Sequence, residues 1–80
     1  SNAFVALPGG WGTLDELAEI LTWKQLGLIQ QPVFILNSNQ FFNPLLDQMR
    51  LMVNEGFLRE ENLRSLHIAQ EPGELISMIP

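Results

Sequence analysis

The segment from Phe4 to Leu28 constrains the fold more than any other part of the chain. Phe4-Val5-Ala6-Leu7 is an unbroken apolar run of strand length, and Pro8 to Gly12 is a stretch of turn residues. Beyond this stretch, apolar residues recur at helical spacing from Leu14 onward. The sequence therefore predicts a strand, a glycine-rich turn and a helix, which together form one βα unit.

The rest of the chain repeats this alternation of strand and helix. The run Val33-Phe34-Ile35-Leu36 contains no polar residue, as expected of a parallel strand that helices cover on both faces. We therefore expect an α/β fold with a three-stranded parallel sheet in a three-layer, Rossmann-like arrangement, in the order βαβα(α)βα. The further predicted elements are a helix from Pro44 to about Gly56, a short helix over Glu60–Ser65, a strand over Leu66–Ala69 and a closing helix over Pro72–Met78.

The helix ends carry their own signals. The first helix is predicted to start near Thr13, whose hydroxyl can cap a free N–H, while Asp15 and Glu16 complement the positive end of the helix dipole. Gly27 is expected to terminate this helix. Asn43 is expected to cap the second helix, ahead of a proline at the first helical position.

The charge balance restricts the partners of this protein. The formal net charge is −5 with only four basic residues, so no basic patch is available for a polynucleotide backbone and we expect no polymeric nucleic acid partner. With no cysteine and no apolar run of about 20 residues, we expect no disulfide, no Cys-based zinc site, no membrane partner and a cytoplasmic location. A small nucleotide stays possible, because backbone N–H groups at a helix N-terminus can hold a phosphate without any cation.

The chain looks like part of a larger domain. We interpret Ser1-Asn2-Ala3 as an expression-tag remnant and residues 4–80 as the carboxyl-terminal half of a single Rossmann-like nucleotide-binding domain. A three-stranded parallel sheet is half of a doubly wound fold, and no element precedes the first strand. We expect the free edge of that strand to be covered by a second copy or by a missing segment, because exposed strand edges pair with other chains.

Three glycines in the turn point to a phosphate. Gly9, Gly10 and Gly12 allow positive φ and close approach of a ligand, directly before a helix N-terminus. The turn lacks the lysine of a P-loop, and its spacing is not G-x-G-x-x-G, so neither an NTPase nor a dinucleotide dehydrogenase follows. The alternative is a tight turn with no ligand. The position at the carboxyl end of a parallel strand favours a ligand site.

The turn also carries a family signature. Pro8-Gly9-Gly10-Trp11-Gly12-Thr13-Leu14-Asp15-Glu16 matches the pattern P-G-G-x-G-T-x-x-E of the Lonely Guy family. The resemblance continues over nearly the whole chain, at Thr22-Trp23, Gln25-Leu26-Gly27, Pro32-Val33, Asn37, Phe41-Phe42-Asn43 and Gly56-Phe57. It implies a single-domain Rossmann-like enzyme of the kind that is often mislabelled lysine decarboxylase.

The resemblance implies a phosphoribohydrolase that cleaves the N-glycosidic bond of AMP or an N6-modified AMP such as a cytokinin nucleotide, releasing the free base and ribose 5-phosphate. It implies a nucleoside monophosphate as the small-molecule partner, no metal, no cofactor, and a homodimer or higher homo-oligomer. Carried over by position, Glu16 would be catalytic and Thr22 would contact the nucleotide. The residues implied to bind the phosphate or line the site are Gly9, Gly10, Trp11, Gly12, Thr13, Leu14 and Asp15.

A carboxylate at Glu16 suits this chemistry, because glycosidic cleavage passes through an oxocarbenium-like state that an anion stabilises. The alternative is a first-turn glutamate that only complements the helix dipole. The family also uses an upstream Arg and an amino-terminal glycine motif, and neither is present in this chain. We therefore expect the chain to be inactive by itself, since losing a cation that balances developing charge raises the barrier.

Two other classes of function stay open at this point. One is a non-catalytic nucleotide-binding or dimerising module in which Glu16 is structural, and the other is a relative that carries molybdenum cofactor. Trp11 and Trp23 could stack on a base, but we favour packing within the turn for Trp11 and a subunit interface for Trp23. His67 has no second His or Cys beside it in the sequence, so a structural role is expected.

Overall fold

A computed structural model describes residues 3–79, which form three strands and four helices. The tag-remnant interpretation of residues 1–3 falls mostly outside this range. In chain order the elements are β1 (Phe4–Ala6), α1 (Trp11–Gln25), β2 (Val33–Leu36), α2 (Asn43–Asn54), α3 (Glu60–Arg64), β3 (Leu66–Ala69) and α4 (Pro72–Met78). A short 3₁₀ turn over Ser38–Gln40 joins β2 to α2.

The three strands form one parallel sheet in the order β1-β2-β3. The register pairs Phe4 with Val33 and Val33 with Leu66, so β2 is the central strand. All four residues of β2 are buried, as its unbroken apolar run predicts. The expected α/β fold with a three-stranded parallel sheet and the order βαβα(α)βα is confirmed.

Helices cover both faces of the sheet and make three layers. Residues of α1, α2 and α3 pack on the face that carries Val33, Ile35 and Leu66. Leu75 of α4 packs on the opposite face, against Phe34 and other buried residues of the sheet. Because side chains alternate along a strand, β2 contributes two residues to each of these two cores.

Both long helices end on a glycine in the left-handed conformation, Gly27 with φ 78° and Gly56 with φ 84°. At the end of α1, the N–H of Gly27 donates to the Lys24 carbonyl and the N–H of Leu28 to the Trp23 carbonyl, which satisfies two carbonyls of the last turn. An equivalent pair of bonds closes α2. The prediction that Gly27 terminates the first helix is confirmed.

The predicted helix starts are wrong in two places. Helix α1 begins at Trp11 with Gly10 as its N-cap residue, two residues before Thr13, and no side chain caps it. Asp15 and Glu16 therefore lie beyond the first turn. Helix α2 begins at Asn43 itself, again without a side-chain cap, because the Asn43 side chain is engaged with Asn37.

One edge of the sheet is open. Within residues 3–79, β1 pairs only with β2, and Val5 and Leu7 beside its free edge are 40% and 52% exposed. No helix in this part of the chain is long and apolar enough to cross a membrane.

Candidate functional site

The glycine-rich turn lies between the carboxyl end of β1 and the N-terminus of α1. The N–H of Leu14 donates to the Gly10 carbonyl at 3.3 Å and closes the first helical turn. The three preceding helical residues, Trp11, Gly12 and Thr13, find no acceptor for their N–H groups among residues 3–79. The turn thus presents three free N–H donors at the positive end of a 15-residue helix.

The glycines serve this turn in a different way from the one predicted. None of Gly9, Gly10 and Gly12 has a positive φ, so the expectation of left-handed backbone in the turn is wrong. A Cβ on Gly9 would collide with the hydroxyl of Thr13. At Gly10 and Gly12 a Cβ would meet nothing within 4 Å. Gly9 therefore makes room for Thr13, while the other two glycines leave the backbone uncovered on its outer side.

Two cavities meet at Thr13. The first, here called the turn cavity, has a volume of about 290 Å³ and lies between the glycine turn and the segment Phe41–Leu45. The second, here called the edge cavity, has a volume of about 270 Å³ and runs along β1 beside Glu16. Thr13 lines both. The signature residues Thr13 and Glu16 thus share one cavity, at the open edge of the sheet.

Glu16 lies on the side of α1 that faces the free edge of β1, with Thr13 and Ile20. Its side chain is exposed and makes no hydrogen bond or ion pair within residues 3–79. The carboxylate is therefore available to a ligand in the edge cavity. Glu16 lies in the second turn of the helix. The alternative role for this residue, a first-turn glutamate that complements the helix dipole, therefore does not apply.

The structure brings most of the predicted site residues together, but not all of them. Gly9, Gly10, Trp11, Thr13 and Leu14 line the turn cavity. Trp11 is 87% exposed, so the prediction that its ring packs within the turn is wrong. Asp15 and Gly12 are exposed and line neither the turn cavity nor the edge cavity.

Thr22 lies apart from the glycine turn. It follows Thr13 by nine residues on the same helix, which corresponds to roughly 13 Å along the axis. Its hydroxyl donates to the Ala18 carbonyl at 2.7 Å. Within one chain, Thr22 does not reach the turn cavity.

Sequence reasoning predicted a turn after β2 but assigned no residue of this loop to the site. Asn37 is 2% exposed, its Oδ1 accepts from the Phe42 N–H at 2.6 Å, and its Nδ2 donates to Asn43 Oδ1 at 2.8 Å. This loop brings Phe41 and Phe42 to the glycine turn. The available signal was a polar residue directly after a fully apolar strand, which marks the carboxyl end of a sheet where ligands bind.

A wide apolar groove runs between α1 and the pair α2 and α3, with a volume of about 500 Å³. Leu14, Leu21, Met52 and Phe57 are among its lining residues. Trp23, for which a subunit interface is predicted, is 40% exposed and does not line this groove. Thr22 lines the groove, so this residue faces away from the edge cavity.

The four basic side chains lie away from the turn. Lys24 Nζ donates to the Gln31 carbonyl, and Arg50, Arg59 and Arg64 pair with neighbouring carboxylates. His67 is exposed, with its ring centroid 5.0 Å from that of Phe34. No three His, Asp or Glu side chains in residues 3–79 are grouped as a metal site requires.

The fold and the turn together define a Rossmann-like α/β protein with an anion-competent helix N-terminus. Residues 1–79 match the protein family described as "Possible lysine decarboxylase". The chain belongs to this family, and its resemblance to Lonely Guy proteins is confirmed.

Named relatives are similar over nearly the whole chain. It is 45% identical over 76 residues to cytokinin riboside 5′-monophosphate phosphoribohydrolase LOG of Oryza sativa subsp. japonica. The aligned residues make up 95% of this chain and 31% of that protein. It is 42% identical over 79 residues to the enzyme of the same description, LOG7, of Arabidopsis thaliana, covering 99% of this chain and 36% of that protein.

The chain therefore spans about a third of the length of these relatives.

The contact between Gly9 and Thr13 yields a stability prediction. Gly9→Ala will lower the free energy of unfolding by about 1–3 kcal/mol, because its methyl group forces the Thr13 side chain out of place. Gly12→Ala is the matched control, since the same methyl group meets open space within a helix, where alanine is favoured by up to ~1 kcal/mol. Urea unfolding of both variants measures the difference, and equal destabilisation would contradict the assigned role of Gly9.

Proposed function

We propose that the complete protein containing this chain is a nucleoside 5′-monophosphate phosphoribohydrolase. It cleaves the N-glycosidic bond of AMP or of an N6-modified AMP such as a cytokinin nucleotide. The observation that carries this proposal is the signature Pro8–Glu16, which folds so that free N–H donors open at the start of α1 and Thr13 and Glu16 line one cavity. The names of the relatives support the same reaction.

In this proposal the 5′-phosphate binds at the N-terminus of α1. The free N–H groups of Trp11, Gly12 and Thr13 donate to its oxygens, and the Thr13 hydroxyl adds a fourth donor. Gly10 lets the phosphate approach the backbone closely, because no Cβ covers its outer side. Gly9 also allows this approach, because it leaves the Thr13 side chain in position. Leu14 and Trp11 border the bound nucleotide, while Asp15 has the least support, since it lines neither cavity.

Glu16 acts on the ribose in this proposal. Departure of the base leaves positive charge on C1′ and the ring oxygen, and a nearby carboxylate stabilises that charge. Water then adds to C1′, its proton is lost, and the departing nitrogen of the base gains a proton, so that free base and ribose 5-phosphate result. The Glu16 carboxylate is exposed and has no partner within residues 3–79, so it can stabilise the cation and orient the water or ribose hydroxyls.

We further propose that residues 4–80 are the carboxyl-terminal half of one nucleotide-binding domain. The strand order β1-β2-β3, with a free edge on β1, is the order of the second half of a doubly wound sheet, whose first half continues from that edge. The edge cavity with Glu16 lies on this junction. The rest of the domain would supply the cation that this chain lacks at the site, and the chain alone would be inactive.

We propose a homodimer or higher homo-oligomer through the apolar groove between α1 and the pair α2 and α3. The groove carries exposed apolar side chains that water disfavours, among them Phe57 at 82% exposure and Met52 at 38%. Thr22 lines this groove. In an oligomer formed through the groove, Thr22 of one copy would contact the nucleotide bound to another copy.

One observation favours a second candidate function, a non-catalytic nucleotide-binding or dimerising module. Within residues 3–79 every basic side chain is engaged away from the glycine turn, so no cation stands ready for the transition state. In that case AMP binds without turnover. No contact in the same residues favours a carrier of molybdenum cofactor.

Replacing the Glu16 carboxylate by an amide tests the proposed catalytic role of this residue. In the complete protein, Glu16→Gln will lower kcat for release of adenine from AMP by a factor on the order of 10² to 10⁴, because the anion is lost while the shape is kept. Glu19→Gln is the matched control, since Glu19 is an exposed glutamate one turn further on that lines none of the three cavities. Measured rates that fall equally in both variants would refute a catalytic Glu16, and turnover by neither variant nor the parent protein would favour the module.

Introducing a charged side chain into the apolar groove tests the proposed interface. Phe57→Glu will shift the complete protein towards monomer in sedimentation equilibrium, because the carboxylate would have to be desolvated in the groove. Ile76→Glu places the same charge on an exposed apolar residue of α4, outside the groove, and will leave the assembly unchanged. An oligomer that persists with Phe57→Glu would exclude this groove as the interface.

A further inference from the structure

The backbone determines the electrostatic potential in the turn cavity. Among residues 3–79, no Lys, Arg, His, Asp or Glu side chain lines this cavity. The carboxylates that give the chain its net charge of −5 therefore lie outside the lining. An anion in the cavity is attracted mainly by the backbone dipoles around it, so the position of each helix end beside the cavity affects how tightly the anion binds.

Two helices begin at this cavity. The glycine turn leads into α1 on one side, and Pro44 and Leu45 on the other side belong to the first turn of α2. Like α1, α2 has no side-chain cap. The N–H groups of Asn43 and Leu45 find no acceptor in the part of the chain that the structure describes. The positive end of the α2 dipole therefore lies at the same cavity as that of α1.

Asn37 connects the start of α2 to the sheet. It directly follows β2, and its backbone N–H donates to the Ala69 carbonyl at the end of β3 at 2.7 Å. Its side chain is buried, with Oδ1 accepting from the Phe42 N–H at 2.6 Å and Nδ2 donating to Asn43 Oδ1 at 2.8 Å. Both of these partners lie at the first residues of α2. One buried side chain thus fixes where α2 begins relative to the carboxyl ends of the strands.

The segment between Asn37 and α2 needs this support. Asn39 and Gln40 both adopt left-handed backbone, with φ of 54° and 60°, which is uncommon for residues other than glycine. Such a conformation costs free energy and persists only where surrounding contacts fix it. The side-chain bonds of Asn37 span the segment, because they join the residue before it to the start of α2 after it. Without them the segment can relax, and the start of α2 then moves relative to the turn cavity.

We propose that Asn37 is a positioning residue for phosphate binding, which holds the N-terminus of α2 at the turn cavity so that the dipoles of two helices act on the phosphate. This inference rests on the proposed nucleotide site, in which the ribose lies beside Glu16 in the edge cavity and the phosphate lies across Thr13 at the N–H donors of α1. An ion in a cavity of about 290 Å³ is close to both walls, and a helix dipole acts over such short distances. Loss of the Asn37 side chain will therefore weaken binding of the phosphate and spare that of the nucleoside.

The test compares the dissociation constants of adenosine and AMP in the complete protein, because their ratio reports the contribution of the phosphate. All variants carry Glu16→Gln, so that the nucleotide is not consumed. Asn37→Ala will lower the ratio by at least about fivefold, and Asn43→Ala, which removes the acceptor of one of the two bonds at an exposed residue, by about two- to threefold. Asn54→Ala is the matched control and will leave the ratio unchanged, since Asn54 is exposed at the other end of α2 and lines none of the three cavities.

The outcomes separate this inference from the proposed function. If the parent binds AMP more tightly than adenosine and Asn37→Ala weakens both ligands equally or neither, Asn37 has only a structural role and this inference alone is overturned. If Asn37→Ala does not fold, the ratio in Asn43→Ala decides in the same way. Binding of AMP by a protein with an intact Glu16 that does not hydrolyse it overturns the proposed reaction, and the ratio still tests Asn37. Equal dissociation constants of the two ligands in the parent overturn both proposals.

Discussion

Burial of β2 between two layers of helices is the interaction on which the rest of the structure depends. Its four apolar residues are all buried, and each contributes roughly 1.5–3 kcal/mol by leaving water. Because β1 and β3 pair with β2 in parallel, the carboxyl ends of β1 and β2 lie on the same side of the sheet. The glycine turn follows β1 and the loop held by Asn37 follows β2, so the two meet in one cavity.

The turn itself relies on backbone chemistry. Three free N–H groups and the dipole of α1 attract an anion without help from Lys or Arg, whose side chains are engaged elsewhere in residues 3–79. A chain with a net charge of −5 could in this way hold the proposed phosphate. Because N–H donors bind charge that is already present, the proposed bond cleavage would need further groups beside Glu16.

The sequence predicted features that depend on local signals and missed those that depend on tertiary contacts. The apolar run of β2 and the termination of α1 at Gly27 were both predictable, because the buried environment and the left-handed backbone each select residue types directly. The start of α1 was not predictable from Thr13, since its hydroxyl lies in the space beside Gly9 and does not cap the helix. The pairing of Asn37 with Asn43 depends on where the loop packs, so an isolated asparagine pattern could not reveal it.

The proposed function depends on the glycine turn holding the 5′-phosphate of a nucleotide. The most direct measurement is a calorimetric titration of the complete protein with AMP and, in parallel, with adenosine, which differs only in lacking the phosphate. Adenosine is expected to bind at least about tenfold more weakly than AMP, since each hydrogen bond to a charged group contributes roughly 1.5–3 kcal/mol. Equal dissociation constants for the two ligands would contradict binding of the phosphate by the glycine turn.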